Sequence, residues 1–558
     1  MSSIYTFLYK ELYPIIKNDL YVFFLFYFIY ALVEIYVFSS IISEIIDYLK
    51  SNKNINKIYF KNLMNKFLFF LVLYVIFLSI YRYFQIKLMV LIKTSIREIL
   101  MKLILKSNEK SYNEKSYITY SSMINRFSEK IFYTINIIIS YVIPPIITIL
   151  IVSFFLLKYN YKVFLFFIFI NFSIFYIYYA KYNSLKEKTL IYERSVINIE
   201  SKQVENLTNL DKIIYRGFSD IEINLFSNLC SIIRDNGYKL FNSVLYYDGI
   251  TSVMLNFTIF IIIYYFIYYN NTSNIVFIIT LLLLYRSHLY QCIIKLSELL
   301  EMICKVDILQ DNFAILLPNY YKKEPSLTNA KVLNYDNIQI RNMYFKYPGT
   351  NKYIFQNFNL DLDFNKSKLI GFYGHSGSGK STLCKLILKI YNSEKGNIIV
   401  NNINTNNINS KSIKKNITYI TQNNKLFDKD IGYNLNYGCT DKKICDKNLL
   451  EILKSNNLKN IFNKNDYNEI RKIKTGFLGE KISGGQRQLI NVLNGLIYPS
   501  QLLILDEPTS NLDSKSKKDL IDIIQKFKKY KKGIIIITHD KDLLNIFDRT
   551  INLDKIKK

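Results

Sequence analysis

The sequence predicts a chain of two classes: an all-α membrane domain of six long helices, then an α/β domain built on a buried sheet. Three observations carry this. Six stretches between Leu20 and Ile294 are apolar over about 20 residues, the length a bilayer-spanning helix needs. From about Lys331 the apolar runs shorten and alternate between strand and amphipathic-helix patterns. In that second part an apolar strand runs straight into a glycine-rich loop and a helix, "LIGFYGHSGSGKSTLCKLILKI".

The first five apolar stretches begin at Leu20, Phe67, Ile135, Val163 and Gly249, and the sixth is "NIVFIITLLLLYRSHLYQCII" from Asn274. A soluble helix of such length would show a polar face, and these do not. Long polar connections follow the second and fourth, from Gln85 to Lys130 and from Lys181 to Asp248. Those after the third and fifth are short, so long helices are expected to protrude on one side only. Two charges fall inside expected spans, Glu34 in the first and Arg286 in the sixth. Each costs on the order of 3 kcal/mol there unless paired or wet. They either line a polar substrate path, with Arg286 attracting an anion, or pair with each other.

The chain has 558 residues, half of them hydrophobic (50%) and 16% aromatic, which is high for a soluble enzyme. Its formal charge of +28 is spread along the whole length, with no basic helix or aromatic RNA-binding motif. That distribution points to solvated surface and an anionic membrane face, not to nucleic acid. Cys230, Cys292, Cys304, Cys384, Cys439 and Cys445 are scattered without a CxxC pair, and are expected to be reduced thiols. The N-terminus carries Glu11 and Asp19 and no Arg before the first span, so it reads as neither a cleavable signal nor a transit peptide. The expected boundaries are a membrane domain over 1–320, a linker over 321–333 and the α/β domain over 334–558.

Gly374, His375, Ser376, Gly377, Ser378, Gly379, Lys380, Ser381 and Thr382 form GxxxxGK[ST] in its strand–loop–helix context. Glycines let backbone N–H groups turn inward around phosphates at a positive helix end. Lys380 would reach the β/γ-phosphates and Ser381 would ligate Mg²⁺. Downstream, "LLILDEPTSNLD" has four apolar residues, Leu502 to Leu505, typical of a strand buried on both faces. It ends in Asp506, suited to Mg²⁺, and Glu507, suited to polarise a water as general base. A further strand, "GIIIITHD", ends at His539, expected to contact a γ-phosphate. Ser483, Gly484 and Gly485 open a helix with Leu489, Val492, Leu493 and Leu496 on one face, a second potential anion site. One chain has one lysine-bearing loop. If the second site meets a nucleotide held by another copy, two chains make two complete sites.

Taken in this order, "GHSGSGKST", "ISGGQ", "LILDEPTSNLD" and "ITHD" closely resemble the nucleotide-binding domain of ABC transporters, and the six spans ahead of them resemble a half-size exporter. The resemblance implies an α/β P-loop NTPase domain with a helical subdomain. It also implies ATP and Mg²⁺ as cofactors, held between the loop of one subunit and Ser483, Gly484, Gly485 and Gln486 of a second identical subunit or a related half-transporter. By the same resemblance Tyr347 stacks on adenine, Gln422 senses Mg²⁺ and couples to the membrane domain, and Ser510 and Asp513 cross the seam. Coupling contacts are expected near Ser107 and Ile213.

Among half exporters the chain looks most similar to the mitochondrial ATM-type, which implies a glutathione-linked sulfur compound as cargo and a mitochondrial or relic-mitochondrial inner membrane. The stretch "LFDKDIGYNLNYG" from Leu426 and "VMLNF" from Val253 carry this similarity; the second makes Asn256 a substrate candidate, and Arg286, the charge inside the sixth span, is the other. Where the family continues Gly-Gln, this chain has Thr258 and Ile259. Thr421 replaces a Pro, Ile482 a Leu, and "NVLNGL" stands where "ARAL" is usual. A lipid flippase or a peptide/drug exporter of the same fold is the alternative, ahead of an ATP-gated channel or regulator.

Overall fold

The computed structural model describes residues 4–51, 57–106, 117–269, 275–314, 334–422, 425–439, 442–453, 467–510 and 512–556. The chain divides into two compact units, Met1–Tyr321 and Lys322–Lys558. The linker expected over 321–333 and the coupling stretch expected from Ser107 lie outside the described residues.

The first unit is helical over nearly all of its described part: α1 (Ile4–Leu32), α2 (Phe38–Ser51), α3 (Lys57–Lys106), α4 (Tyr117–Ile137), α5 (Ile143–Tyr159), α6 (Tyr161–Thr208), α7 (Leu210–Tyr215), α8 (Ser219–Tyr269) and α9 (Ile275–Ala314). Six of its helical stretches are long and apolar enough to cross a membrane, each holding one of the six expected spans. α1 runs into α2, and α4 into α5, through π-helical turns at Val33–Val37 and Ile138–Val142. Pro144 and Pro145 begin α5 and bring no N–H, so the carbonyls one turn earlier lose their α-helical donors. That loosens the second turn into the wider π form.

α3 shows how one helix serves two environments. Its 50 residues span about 75 Å, against about 30 Å of bilayer hydrocarbon. Leu68, Phe69, Val72 and Val75 face outward in the apolar part, as lipid contact requires. Further on, Leu88, Ile92, Ile96, Ile99 and Leu103 recur at helical spacing and are buried against the bundle. Among the described residues, the long "connections" of the sequence are thus largely helix extensions. Towards the end of α9, polar pairs join apolar packing: Lys305 Nζ lies 3.0 Å from Glu193 and 2.5 Å from Glu301. Asp248 ties three helices together, accepting from Tyr178 Oη at 2.6 Å and Ser297 Oγ at 2.7 Å.

The second unit contains two sheets. β1 (Asn337–Phe345), β2 (Phe355–Asp363), β4 (Lys395–Val400) and β5 (Ile403–Asn404) form an antiparallel sheet in the order β2-β1-β4-β5. β3 (Leu369–Tyr373), β6 (Ile417–Ile420), β7 (Leu502–Asp506), β8 (Gly533–Ile537) and β9 (Arg549–Asn552) form a parallel sheet in the order β6-β7-β8-β3-β9. Leu502 to Leu505 are fully buried, as a strand covered on both faces requires.

Successive residues of the parallel sheet enter two different cores. Leu502, Ile504, Ile535, Ile537, Ile370 and Phe372 pack with the glycine-loop helix (Leu383, Leu386 and Ile387) and the antiparallel sheet. Leu503, Leu505, Ile534 and Ile536 pack with Leu489, Val492, Leu493 and Leu496 of the helix Gly484–Ile497. Because side chains alternate along a strand, these two helices cover opposite faces of one sheet.

Two expectations are corrected here. Cys439 and Cys445 are joined in a disulfide; the other four cysteines are free. The chain turns tightly at Asn436–Cys439, where Gly438 has φ 82°, and a helix starts at Lys442. The turn leaves the two Cα atoms 6.5 Å apart, within bridging reach, which a search for CxxC spacing does not see. Glu34 and Arg286 are not each other's partner. Glu34 Oε2 lies 3.2 Å from His288 Nε2, and Arg286 Nε donates to Asn256 Oδ1 at 2.7 Å.

Candidate functional site: the phosphate loop and its neighbouring strand ends

Parallel strands present ligand sites beyond their carboxyl ends, and here β3, β8 and β7 are adjacent and end together. β3 leads into Gly374–Thr382, β7 ends at Asp506 beside Glu507, and β8 leads into Thr538 and His539. Register holds the ends level: Leu369 pairs with Ile534, and Asp506 with Ile537. β6 flanks β7, Ile420 opposite Leu505, so Gln422 leaves the sheet beside the Asp506–Glu507 end, with its side chain exposed.

The loop wraps its own lysine. Lys380 Nζ donates to Gly374 O at 2.9 Å, His375 O at 3.0 Å and Ser378 Oγ at 3.3 Å, and burial lowers its pKa. Gly379, at φ 90°, is the residue before the helix Lys380–Ile387; a side chain there would be strained. Ser376 and Gly377 form the exposed crest of the loop, and Ser381 and Thr382 open the helix. Tyr347 Oη lies 2.9 Å from Thr382 Oγ1, and its ring meets Tyr391 edge to face at 5.3 Å. Tyr347 is therefore anchored to the loop with part of its surface open.

Across the strand ends, Glu507 sits in a sparse backbone region at φ 52°. Its N–H donates to Ile537 O at 2.9 Å and its carbonyl accepts from Gln488 Nε2 at 3.1 Å. These bonds from both neighbours hold the conformation, which costs on the order of 1 kcal/mol or more and is common where a site over-determines one residue. Glu507 Oε1 is buried without a hydrogen bond, and His539 Nε2 lies 3.6 Å away. Burial is the main cause that raises the Glu507 carboxyl pKa; His539 and Lys380 oppose it and Asp506 adds to it. A carboxylate so placed is a stronger proton acceptor than an ordinary one. Asp506 accepts from Tyr419 Oη at 2.8 Å. One buried carboxylate and one hydroxyl, Asp506 and Ser381, fit the few protein ligands Mg²⁺ takes when phosphate and water supply the rest.

Ser483 is an N-cap. Its Oγ accepts from Gln486 N–H at 3.2 Å, and Gln486 Oε1 accepts from Ser483 N–H at 3.2 Å, a capping box that fixes the start of the helix. Gly484 and Gly485 form the first turn, and the helix is rooted in the core on the opposite sheet face from the loop helix. Asp513 uses Oδ1 to cap the helix Ser514–Phe527, accepting from Lys515 N–H at 3.0 Å and Ser516 N–H at 2.9 Å, so its pKa is lowered. Ser510 is exposed beside it.

Three supports were not read from the sequence. Asp554 Oδ2 accepts from His375 N–H at 2.9 Å and lies 2.9 Å from its Nδ1, bracing the loop from the far end of the chain. Tyr419 orients Asp506, and Gln488 holds the Glu507 carbonyl. They belong to no motif: Tyr419 lies on β6, Gln488 on the helix Gly484–Ile497 and Asp554 just after β9, so only the tertiary fold brings them near. In the membrane unit, Asn256 and Arg286 are brought together, whereas Thr258 and Ile259 are buried in the bundle. The Gly-Gln departure therefore falls on helix packing.

Residues 358–510 match the family model described as ABC transporter. The chain is 32% identical over 249 residues to an export ATP-binding/permease protein of Rickettsia typhi, covering 44% of this chain and 41% of that protein. It is 34% identical over 204 residues to the ABC transporter ATM1 of Plasmodium falciparum (36% and 18%), and 29% identical over 219 residues to an ATP-dependent lipid A-core flippase of Colwellia psychrerythraea (39% and 36%). Each match spans less than half of the relative's own length. The solved structure of a bacterial Atm1-family ABC exporter with ATP bound superposes with a TM-score of 0.81 at 16% identity, over 97% of this chain and 94% of that one. The second half of the chain thus carries an ABC transporter domain, and the whole has the fold of an Atm1-family ABC exporter.

Proposed function

We propose that this chain is one half of an ATP-driven exporter that works as a dimer and closes on two nucleotides at a shared seam. The observation that carries the reading is the placement of two anion-binding helix starts, at Lys380 and at Ser483, on opposite faces of one sheet. Each offers free backbone N–H groups at a helix start, which suits a phosphate. A second copy related by a two-fold axis supplies the missing half to each site, the isologous arrangement most dimers adopt.

In this reading the loop N–H groups and Lys380 bind the β/γ-phosphates and Tyr347 packs on the base. Ser381 and Asp506 hold Mg²⁺, with Gln422 beside it; the ion supplies charge neutralisation on the phosphates. Glu507 takes a proton from the attacking water, and His539 steadies the γ-phosphate. Ser483, Gly484, Gly485 and Gln486 of the facing copy complete the pocket. Closure of the pair is the work that reaches the membrane helices, which span the bilayer.

The ATM-type similarity supports a glutathione-linked sulfur compound as cargo, with the Asn256–Arg286 pair as an anion contact, and an inner mitochondrial or relic-mitochondrial membrane as the site of action. One observation favours a second cargo, a lipid or other hydrophobic tail: an apolar cavity of about 570 Å³ lies between α1, α4 and α9, lined by Leu12, Ile16, Phe24, Ile135, Ile303 and Val306. The test is uptake into vesicles carrying the purified chain with its nucleotide unit outward. ATP-dependent accumulation of oxidised glutathione is expected. ATP hydrolysis with no accumulation or stimulation by any thiol conjugate, but with stimulation by phospholipid, removes the first cargo in favour of the second.

A further inference from the structure

The membrane unit holds a polar cavity of about 260 Å³ that the nucleotide chemistry does not use. Glu34, Tyr27 and Tyr30 reach it from the first span, Tyr81 and Gln85 from α3, Ser140 from the π turn before α5, and His288 from α9. Both π turns of the unit contribute to its wall: Glu34 lies in one, Ser140 and Tyr141 in the other. Such turns add a residue without ending the helix and recur at functional sites.

The lining has a definite chemistry. Glu34 Oε2 is buried and accepts no hydrogen bond, although His288 Nε2 is 3.2 Å away. Tyr27 Oη is likewise buried, with Thr148 near it. The rings of Tyr27, Tyr30 and Tyr81 are mutually packed, with centroids 4.9 Å apart for Tyr30–Tyr81 and 5.5 Å for Tyr27–Tyr81. Pro144 and Pro145 withhold the donors that the carbonyls of Ser140 and Tyr141 would meet in an α-helix. A carboxylate and aromatic faces are two kinds of negative potential around one small volume, the combination that recognises an ammonium group. Arg82 also lines the cavity, its side chain exposed, over the Tyr81 ring at 5.5 Å and donating to Gln85 Oε1 at 3.3 Å.

We propose that this cavity binds the protonated amino group of a small organic amine, with Glu34 as its counter-ion and the three tyrosines as its cage. The inference rests on the export reading only in calling that amine cargo; binding itself is independent of it.

The test uses three probes of one shape and about a dozen non-hydrogen atoms, a size suited to the cavity: tryptamine, tryptophol and indole-3-acetate. The chain contains no Trp, so indole fluorescence anisotropy, excited beyond the tyrosine band, reads the probe alone. With the full chain in lipid nanodiscs, no ATP, and empty nanodiscs subtracted, tryptamine binds at least about tenfold tighter than tryptophol, and indole-3-acetate weakest, as a charge-assisted contact requires. Glu34→Gln removes that preference and His288→Gln keeps it. Tyr81→Leu, which alters no ionisable carboxylate or cation, weakens tryptamine more than tryptophol. Equal binding of the three probes, tightest binding of indole-3-acetate, or a preference that survives both Glu34→Gln and Tyr81→Leu overturns the proposal. Because ATP is absent, none of these results bears on whether the chain hydrolyses it.

Discussion

Replacing Glu507 with Gln separates chemistry from binding more cleanly than any other change in the site. Glutamine keeps the shape and the backbone contacts, including the N–H bond to Ile537 O and the carbonyl bond from Gln488, and it tolerates φ 52° no worse than glutamate. What is lost is a buried carboxylate whose Oε1 has no hydrogen bond and whose proton affinity burial has raised. General-base catalysis is worth roughly 10²–10⁴ in rate, or about 3–5 kcal/mol of barrier. The neutral amide also removes a buried charge that lies close to Asp506, so the ATP-bound state gains stability while turnover falls. The assay is single-turnover hydrolysis by purified chain in liposomes, together with the amount of nucleotide retained after rapid desalting. A drop of at least about 100-fold with ATP retained is expected. The pH profile adds a second reading. Activity needs the ionised carboxylate, so wild-type turnover falls as pH drops through the raised pKa of Glu507, above the ordinary carboxylate range. The residual activity of Glu507→Gln lacks that acid limb. Turnover within about threefold of wild type, or an unchanged acid limb, refutes the assignment.

Other consequences follow from the same structure. Lys531 is buried, donates to Tyr498 O and to Ser500 Oγ, and has its pKa lowered to about 7 by burial. The unfolded chain therefore binds more protons than the folded one between about pH 7 and the ordinary lysine value, so this residue makes stability rise with pH there, by at most about 1.4 kcal/mol per unit. Urea denaturation at pH 7 and pH 9 should show that rise in wild type and a smaller one in Lys531→Met. Gly533 starts a central strand, and a Cβ there would sit 2.1 Å from the buried Phe364 ring. Gly533→Ala should cost about 1–3 kcal/mol by overpacking, measured by the same denaturation, and Phe364→Leu should recover part of it.

The membrane helices were legible because a bilayer imposes length and apolarity on contiguous sequence. The phosphate loop was legible because its chemistry needs neighbouring residues. Partners set by topology were not. Asp554 reaches His375 across 179 positions because β9 lies beside β3, and nothing local marks it. Glu34 was recognised as costly in a membrane, but its neighbour is His288, an imidazole that hydropathy does not single out, and not Arg286. The left-handed backbone of Glu507 falls where no glycine signals a turn. The Cys439–Cys445 bridge depends on a tight turn at Gly438, not on a spacing rule.

The shared seam is tested most directly by complementation between two disabled chains. Lys380→Met removes the loop lysine, Ser483→Arg blocks the second anion site, and each alone should be inactive. In a mixed pair, the intact loop of one chain meets the intact Ser483 of the other, restoring one of two sites. Hydrolysis returning to about a quarter of the wild-type rate when equal amounts are co-reconstituted is the expected result, since half of the pairs are mixed and each has one working site. No recovery, with cross-linking showing that mixed pairs have formed, contradicts it.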